Sequence, residues 1–217
     1  MKQNYQLLLD KTIAELDGRQ PKLLLHACCA PCSTYVLEYL SEYFEITVFC
    51  FNPNIYPPEE FYKRRSEQER IIKEMPAAIP VSFMGSEHQS ERFYEAVKGY
   101  EHTGERGERC YKCYRLRLEE TAKAAKEHGF DYFTTTLSIS PLKNADWLNT
   151  IGGELAEEYG VSYLFSDFKK REGYKRSTEL CKKYGIYRQN YCGCIFSMKE
   201  GEERIKRYED RKNEVQM

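Results

Sequence analysis

Lys22-Leu23-Leu24-Leu25-His26-Ala27-Cys28-Cys29-Ala30-Pro31-Cys32 is the stretch that decides the fold. The apolar run 22–26 has strand length. It passes at once into a Cys/Pro turn. Residues 33–40 then read as a helix, with Pro31 well placed near its start. Working outward, residues 46–51 (Ile-Thr-Val-Phe-Cys-Phe) form a β-rich run that stops at the turn signal Asn52-Pro53-Asn54. Pro57-Pro58 opens a charged helix to about residue 74, a third strand is expected within 78–84, and residues 86–98 read as helical. After a loop at 99–107, a long helix is expected over 108–128 with Gly129 as its stop. Residues 131–137 are β-branched and aromatic and read as a fourth strand. A helix over 144–159, stopped by Gly160, and a short strand at 161–165 follow. Two more helices flank a Tyr191-Cys192-Gly193-Cys194 turn.

Strands thus alternate with helices from residue 22 to about 165. The pattern predicts an α/β fold, a mainly parallel sheet with helices on both faces, plus a C-terminal helical segment. The expected organisation is an N-terminal helical extension over 1–21, the α/β domain over 22–165 and the helical segment over 166–217. Ligands of such sheets bind beyond the carboxyl ends of the strands. Cys28, Cys29 and Cys32 fall at that edge after the first strand, Asn52 and Asn54 after the second, and residues 137–141 after the fourth.

Charge is nearly balanced, 33 Lys and Arg against 34 Asp and Glu, which excludes a globally basic nucleic-acid binder but leaves room for a local basic face. The opening MKQNYQLLLDKTIAELDG has no apolar signal-peptide core, and no stretch approaches the roughly 18 apolar residues of a membrane span. The expectation is a cytoplasmic protein with no membrane partner, in which thiols stay reduced unless chemistry oxidises them.

Nine cysteines must then be explained by placement. Cys110 and Cys113, at i and i+3 near a helix start, share a face. With Cys28 and Cys29 they supply four thiolates, which suit either a [4Fe–4S] cluster or a Cys₄ zinc site. Cys32 is a spare soft ligand beside that set. A thioredoxin-like reading of Cys29-Ala30-Pro31-Cys32 gives Cys28 and the second thiol group no role. Cys192-Gly193-Cys194 suits a strained, reducible disulfide, two more ligands, or two unrelated thiols. Cys50 reads as core, Cys181 as a half-buried thiol on a helix, and His26 as a strand-end histidine with an ordinary hydrogen bond.

Local basic clusters stand at residues 63–65, at Arg115 and Arg117, and across 167–191, where eight Lys and Arg mix with four Tyr. The cluster at 63–65 shares its helix with many Glu and reads equally as a salt-bridged face. Basic groups for phosphates and aromatics for unstacked bases are what single-stranded RNA recognition uses. The candidate substrate contacts are Asn52, Asn54, Arg65, Arg188 and Tyr191.

Five segments together resemble the QueH family of epoxyqueuosine reductases. They are Leu25-His-Ala-Cys28-Cys29-Ala-Pro-Cys32, Phe51-Asn52-Pro-Asn54-Ile-Tyr-Pro57, Arg109-Cys110-Tyr-Lys-Cys113-Tyr-Arg115-Leu-Arg117, Thr134-Thr-Thr-Leu137-Ser-Ile-Ser-Pro141 and Tyr187-Arg188-Gln-Asn-Tyr191-Cys192-Gly-Cys194. The resemblance runs from about residue 22 to about residue 200. It implies a fold similar to PP-loop/HUP-type nucleotide-binding domains. It also implies the last step of queuosine biosynthesis: reduction of epoxyqueuosine to queuosine at the wobble position of tRNA, with electrons from an unidentified donor. By the same resemblance Cys28, Cys29, Cys110 and Cys113 hold a [4Fe–4S] cluster, and Cys192 and Cys194 are a redox-active pair. A further mononuclear iron is implied beside the cluster, at Cys32, where some members carry Asp. The PP-loop glycine-rich signature is absent after the first strand, so ATP binding is not expected. The readings from other classes are a zinc-stabilised RNA-binding module and a thiol–disulfide oxidoreductase.

Overall fold

A computed structural model describes residues 3–215; the ends of the two expected terminal segments, 1–2 and 216–217, lie outside the described residues. The sheet consists of β1 (Lys22–His26), β2 (Glu45–Cys50), β3 (Ser82–Gly85), β4 (Tyr132–Thr135) and β5 (Ser162–Tyr163). All neighbours are parallel, in the order β3-β2-β1-β4-β5. The helices are α1 (Tyr5–Glu15), α2 (Ala30–Leu40), α3 (Pro58–Glu74), α4 (Ser90–Ala96), α5 (Glu108–Glu127), α6 (Ala145–Tyr159), α7 (Gly173–Lys183) and α8 (Ile195–Val215). This is the α/β fold that the alternating pattern predicts.

The period of two along β1 sends neighbouring side chains to opposite faces. Leu24 joins Phe133, Leu118, Leu148 and Leu155 under α5 and α6. Leu23 and Leu25 join Ile46, Val48, Val36, Leu37 and Leu40 under α2, and Leu9 of α1 is buried in the same layer. A strand buried on both faces reads as a continuous apolar run, which Leu23-Leu24-Leu25 is.

Several expected elements change length, among them the fifth strand, expected over 161–165 and present only as Ser162–Tyr163. The third strand shrinks to Ser82–Gly85, because Pro76 and Pro80 remove ladder donors ahead of it. The fourth stops at Thr135, whose hydroxyl accepts from Leu137 N and caps a 3-10 turn, Thr136–Ile139. The helix after the third strand starts only at Ser90. Helix α5 ends as expected at Gly129, which takes φ +68° while Phe130 N bonds back to Ala125 O.

The strand order reverses between β1 and β4, so the switch point of the sheet lies at their carboxyl ends. The Cys28/Cys29 turn and the 3-10 turn stand there.

Helix α6 packs on β5 through a glycine. A Cβ on Gly152 would stand 2.3 Å from the ring of buried Tyr163, whereas one on Gly153 would make an ordinary 3.4 Å contact with Phe165. Gly152→Ala is therefore expected to cost about 1–3 kcal/mol by overpacking. Gly153→Ala is expected to be neutral or to gain up to about 1 kcal/mol from helix propensity. Urea unfolding of both variants checks this; equal effects would contradict the packing assigned here.

Candidate active site

Three helix N-termini bring the thiols together. Cys29 is the N-cap of α2, preceded by Cys28. Cys110 stands in the first turn of α5, with Cys113 and Arg117 on the same face at i+3 and i+7. Cys194 immediately precedes α8, and its sulfur accepts from Ser197 N (3.4 Å), as an N-cap side chain does. The positive end of each helix favours negative charge on these sulfurs.

The switch point opens into a cavity of about 170 Å³ walled by Cys28, Cys29, Cys32 and Cys192, together with Lys143 and Gln189. The Cys29 thiol is in hydrogen-bonding reach of both Cys28 and Cys32. Cys110, Cys113 and Cys194 stand next to this wall, all buried and all feeling the charge of Cys192. Seven of the nine cysteines therefore belong to one site. Cys50 is core, as expected, and Cys181 is fully buried between α3 and α7 rather than half-exposed. All nine are free thiols, so Cys192 and Cys194 are separate here rather than disulfide-bonded.

The environment of the sulfurs is specific. Gln189 Nε2 donates to Cys29 Sγ (2.9 Å), Lys143 Nζ to Cys192 Sγ (2.9 Å) and Arg106 N to Cys110 Sγ (3.4 Å). Burial pushes the Cys113 thiol up to about 12 against the pull of Arg117. Cys29 is pulled down by the Cys28 thiol, but Cys32 and burial carry it up to about 12. Burial likewise raises Cys110 and Cys194. In the bare chain these thiols hold their protons at neutral pH.

Two buried guanidiniums face them. Arg117, with no exposed surface, donates from Nη2 to Asn52 Oδ1 (2.6 Å) and from Nε to His26 Nε2 (3.3 Å). Burial alone would lower its pKa, yet Cys28, Cys113 and Cys192 raise it. His26 Nδ1 stands 2.8 Å from Thr135 Oγ1, and its Nε2 lies between Phe51 O (3.2 Å) and the Arg117 Nε that donates to it. Burial and Arg117 hold His26 well below its ordinary value, hence neutral. Arg64, 2% exposed, pairs with Glu60 (2.7 Å) and donates to Cys192 O (3.1 Å). Arg117 Nη1 and Arg64 Nη2 are buried without a hydrogen-bond partner. A buried donor without a partner costs about 1–3 kcal/mol, more when charged.

Among the described residues no group of three or more His, Cys, Asp or Glu side chains stands ready to hold a metal ion. A cluster ligated by four thiolates makes a different demand. It carries net negative charge, takes several sulfurs from separate segments, and accepts N–H donors at its sulfurs. Four buried thiols beside two buried, partly unpaired cations fit that demand.

The Cys192-Gly193-Cys194 turn is held by its backbone. Gly193 takes φ +142°, and a Cβ there would meet Arg64 Nη1 and Asn54 Nδ2 at 3.1 Å. Its carbonyl accepts from Tyr56 N (2.8 Å). Only glycine satisfies both the angle and the space.

The family model described as "Epoxyqueuosine reductase QueH" matches residues 23–200. The chain belongs to the QueH epoxyqueuosine reductase family. The Staphylococcus epidermidis QueH is 45% identical to it over 205 residues, covering 91% of this chain and 86% of that protein. The Streptococcus pyogenes QueH is 41% identical, covering 90% and 78%. The Thermotoga maritima QueH is 37% identical, covering 84% and 93%.

The remaining candidates of this QueH-family chain divide. Arg188 and Tyr191 line the cavity, Tyr191 donating to Tyr56 O (2.6 Å). Asn54 is buried with its whole amide unpaired beside Gly193. Asn52 spends its amide on Ala27 O and Arg117, so it positions rather than contacts. Arg65 does not line the cavity; it is committed to Glu69 and Ser86 O. Much of the basic segment 167–191 is likewise paired: Arg171 with Asp10, and Arg176 with Glu38. Sequence reading missed Lys143, Arg64 and Gln189 as site residues, although Arg64 stood in the basic cluster at 63–65, Gln189 in the segment leading to Cys192 and Lys143 just after residues 137–141.

Replacing Arg117 by Met is expected to cut the iron and sulfide retained on anaerobic reconstitution to under about half of the unaltered level, since removing one partner of a buried charge interaction strands the other. Helical circular dichroism should be kept. Full retention of iron would show that the guanidinium is not there for an anionic group.

Proposed function

We propose that this protein reduces epoxyqueuosine to queuosine at the wobble position of tRNA, as the names of its relatives imply for the reduction itself. The observation that carries the reading is the gathering of seven thiols from three distant segments around one cavity at the switch point. Removing the epoxide oxygen to leave an alkene consumes two electrons and two protons and releases water. Cys192 and Cys194 as a dithiol hold all four: two S–H bonds break, one S–S bond forms, the epoxide oxygen leaves as water and the C=C bond forms. A separate electron donor returns the pair to the dithiol.

The residues that would hold a [4Fe–4S] cluster are Cys28, Cys29, Cys110 and Cys113, with Cys32, half-buried on the cavity wall, for a further iron. Such a cluster supplies electrons one at a time at low potential. Arg64 and Arg117 balance its charge from within the core. Lys143 holds the Cys192 sulfur at the cavity and offsets negative charge as the pair gives up its protons. Arg188 and Tyr191 line the cavity that a nucleoside unstacked from the anticodon loop would enter, and Asn54 is buried behind the Gly193 turn. Among the described residues no helix is long and apolar enough to cross a membrane.

Cys113→Ser is expected to lose bound iron and turnover together. Cys194→Ser is expected to keep the visible absorbance of the protein and lose turnover by at least about a hundredfold, the scale of losing a reacting group. Gly193→Ala should behave like Cys194→Ser, because it displaces the turn and leaves the four other thiols in place. These are read by absorbance and by nucleoside analysis of digested tRNA. Full turnover in Cys194→Ser would remove the pair from the reaction.

A further inference from the structure

The cavity does not end at its mouth. Leu142 and Lys143 line both it and a second chamber of about 590 Å³, whose walls include Arg106, Asp167, Lys169 and Lys170. In the other direction Asn190 and Arg204 line both it and a third chamber of about 450 Å³ formed on α8 by Ile205, Tyr208 and Lys212. The shared residues make one groove with the thiol cavity at its middle.

The groove departs from the rest of the surface in two ways. Seven basic side chains line it against three acidic ones, in a chain whose totals are 33 and 34. Those acids are engaged: Glu105 by Lys143 and Arg204, Asp167 by Lys169, and Asp146 by Tyr5. Secondly, four of the seven exposed large apolar side chains lie along it, namely Leu142, Tyr174, Ile205 and Tyr208. Arg106 and Lys170 at one end, and Tyr208 (70% exposed) at the other, project from it. Cations that track a backbone, alternating with flat apolar platforms, are the elements that hold single strands without reading their sequence.

We propose that this groove holds the single-stranded RNA on both sides of the reacting nucleoside. Arg106 and Lys170 take backbone phosphates at one end, and Tyr208 with Ile205 stacks a base at the other. The inference rests on the reading of tRNA as substrate and assigns residues that the chemistry itself does not use. It also accounts for the position of the reactive thiols, midway along a track rather than in a closed pocket.

The test is binding of a fluorescently labelled tRNA anticodon stem-loop to the full-length, iron-loaded protein, measured by anisotropy across a salt series. Arg106→Glu combined with Lys170→Glu is expected to weaken binding by at least about tenfold and to lower the slope of log K against log salt by about 1.4, as for two lost contacts to a single strand. Tyr208→Ala is expected to weaken binding about tenfold with the salt slope unchanged. Lys73→Glu, an exposed reversal on α3 outside the groove, should bind as the unaltered protein does. All variants should retain iron and helical circular dichroism. If the unaltered protein binds and turns over tRNA while the groove variants match it, the groove assignment is wrong and the reductase reading stands. If the unaltered protein does not bind the stem-loop at all, both fall.

Discussion

A full positive charge with no exposure, the Arg117 guanidinium, is the constraint around which the site is arranged. Burying such a group costs several kcal/mol unless partners answer it. Asn52 answers one nitrogen and a neutral His26 another, and each is itself tied down, Asn52 to Ala27 O and His26 to Thr135. Through these bonds Arg117 joins the ends of β1 and β4 and the loop after β2, the three edges that meet at the switch point. Its remaining nitrogen faces buried sulfur rather than a carboxylate. Arg64, whose charge Glu60 answers at 2.7 Å, ties the carbonyl of Cys192 to α3. Arg117 is thus a buried cation that faces sulfur, and an anionic group held by the neighbouring thiols would supply its counter-charge.

The same logic explains the helices. A thiol at a helix N-terminus, with backbone N–H groups directed at it, is more easily carried as a thiolate than one in a plain apolar core. Cys194 accepts from the backbone N–H of Ser197 and Cys110 from that of Arg106, whereas Cys29, at the N-cap of α2, accepts from the Gln189 side chain instead. The bare thiols are held protonated by burial, so thiolate character at this site depends on what the sulfurs bind rather than on the chain alone. Arg109, buried beside Cys110, bonds to Glu200 of α8 and to the carbonyls of Glu101 and Thr103. That ties the start of α5 to the helix that follows Cys194.

The sheet was legible in the sequence because its strands are apolar or β-branched runs closed by Gly, Pro and Asn. The two-sided burial of Leu23-Leu24-Leu25 is visible as an unbroken apolar stretch. The cysteine groups were legible as spacing, and the sheet-edge rule placed Cys28 and Cys29 correctly at the carboxyl end of β1. Spacing says nothing about which distant side chain will meet which. Lys143 reached Cys192 and Gln189 reached Cys29 through tertiary contacts across 49 and 160 residues. Arg64 and Arg117 looked like surface charges on amphipathic helices, and only their burial shows otherwise. Arg65, one residue along α3, faces away from the cavity, and no periodicity argument at that resolution separates the two.

The account stands or falls on what the gathered thiols hold. The most direct measurement is the iron, sulfide and zinc content of the unaltered protein, purified without oxygen, alongside its visible spectrum. The account predicts about four irons and four sulfides per chain in a brown protein, with any iron beyond that assigned to Cys32. One zinc per chain in a colourless protein would contradict it, and would make the same sulfurs a structural site.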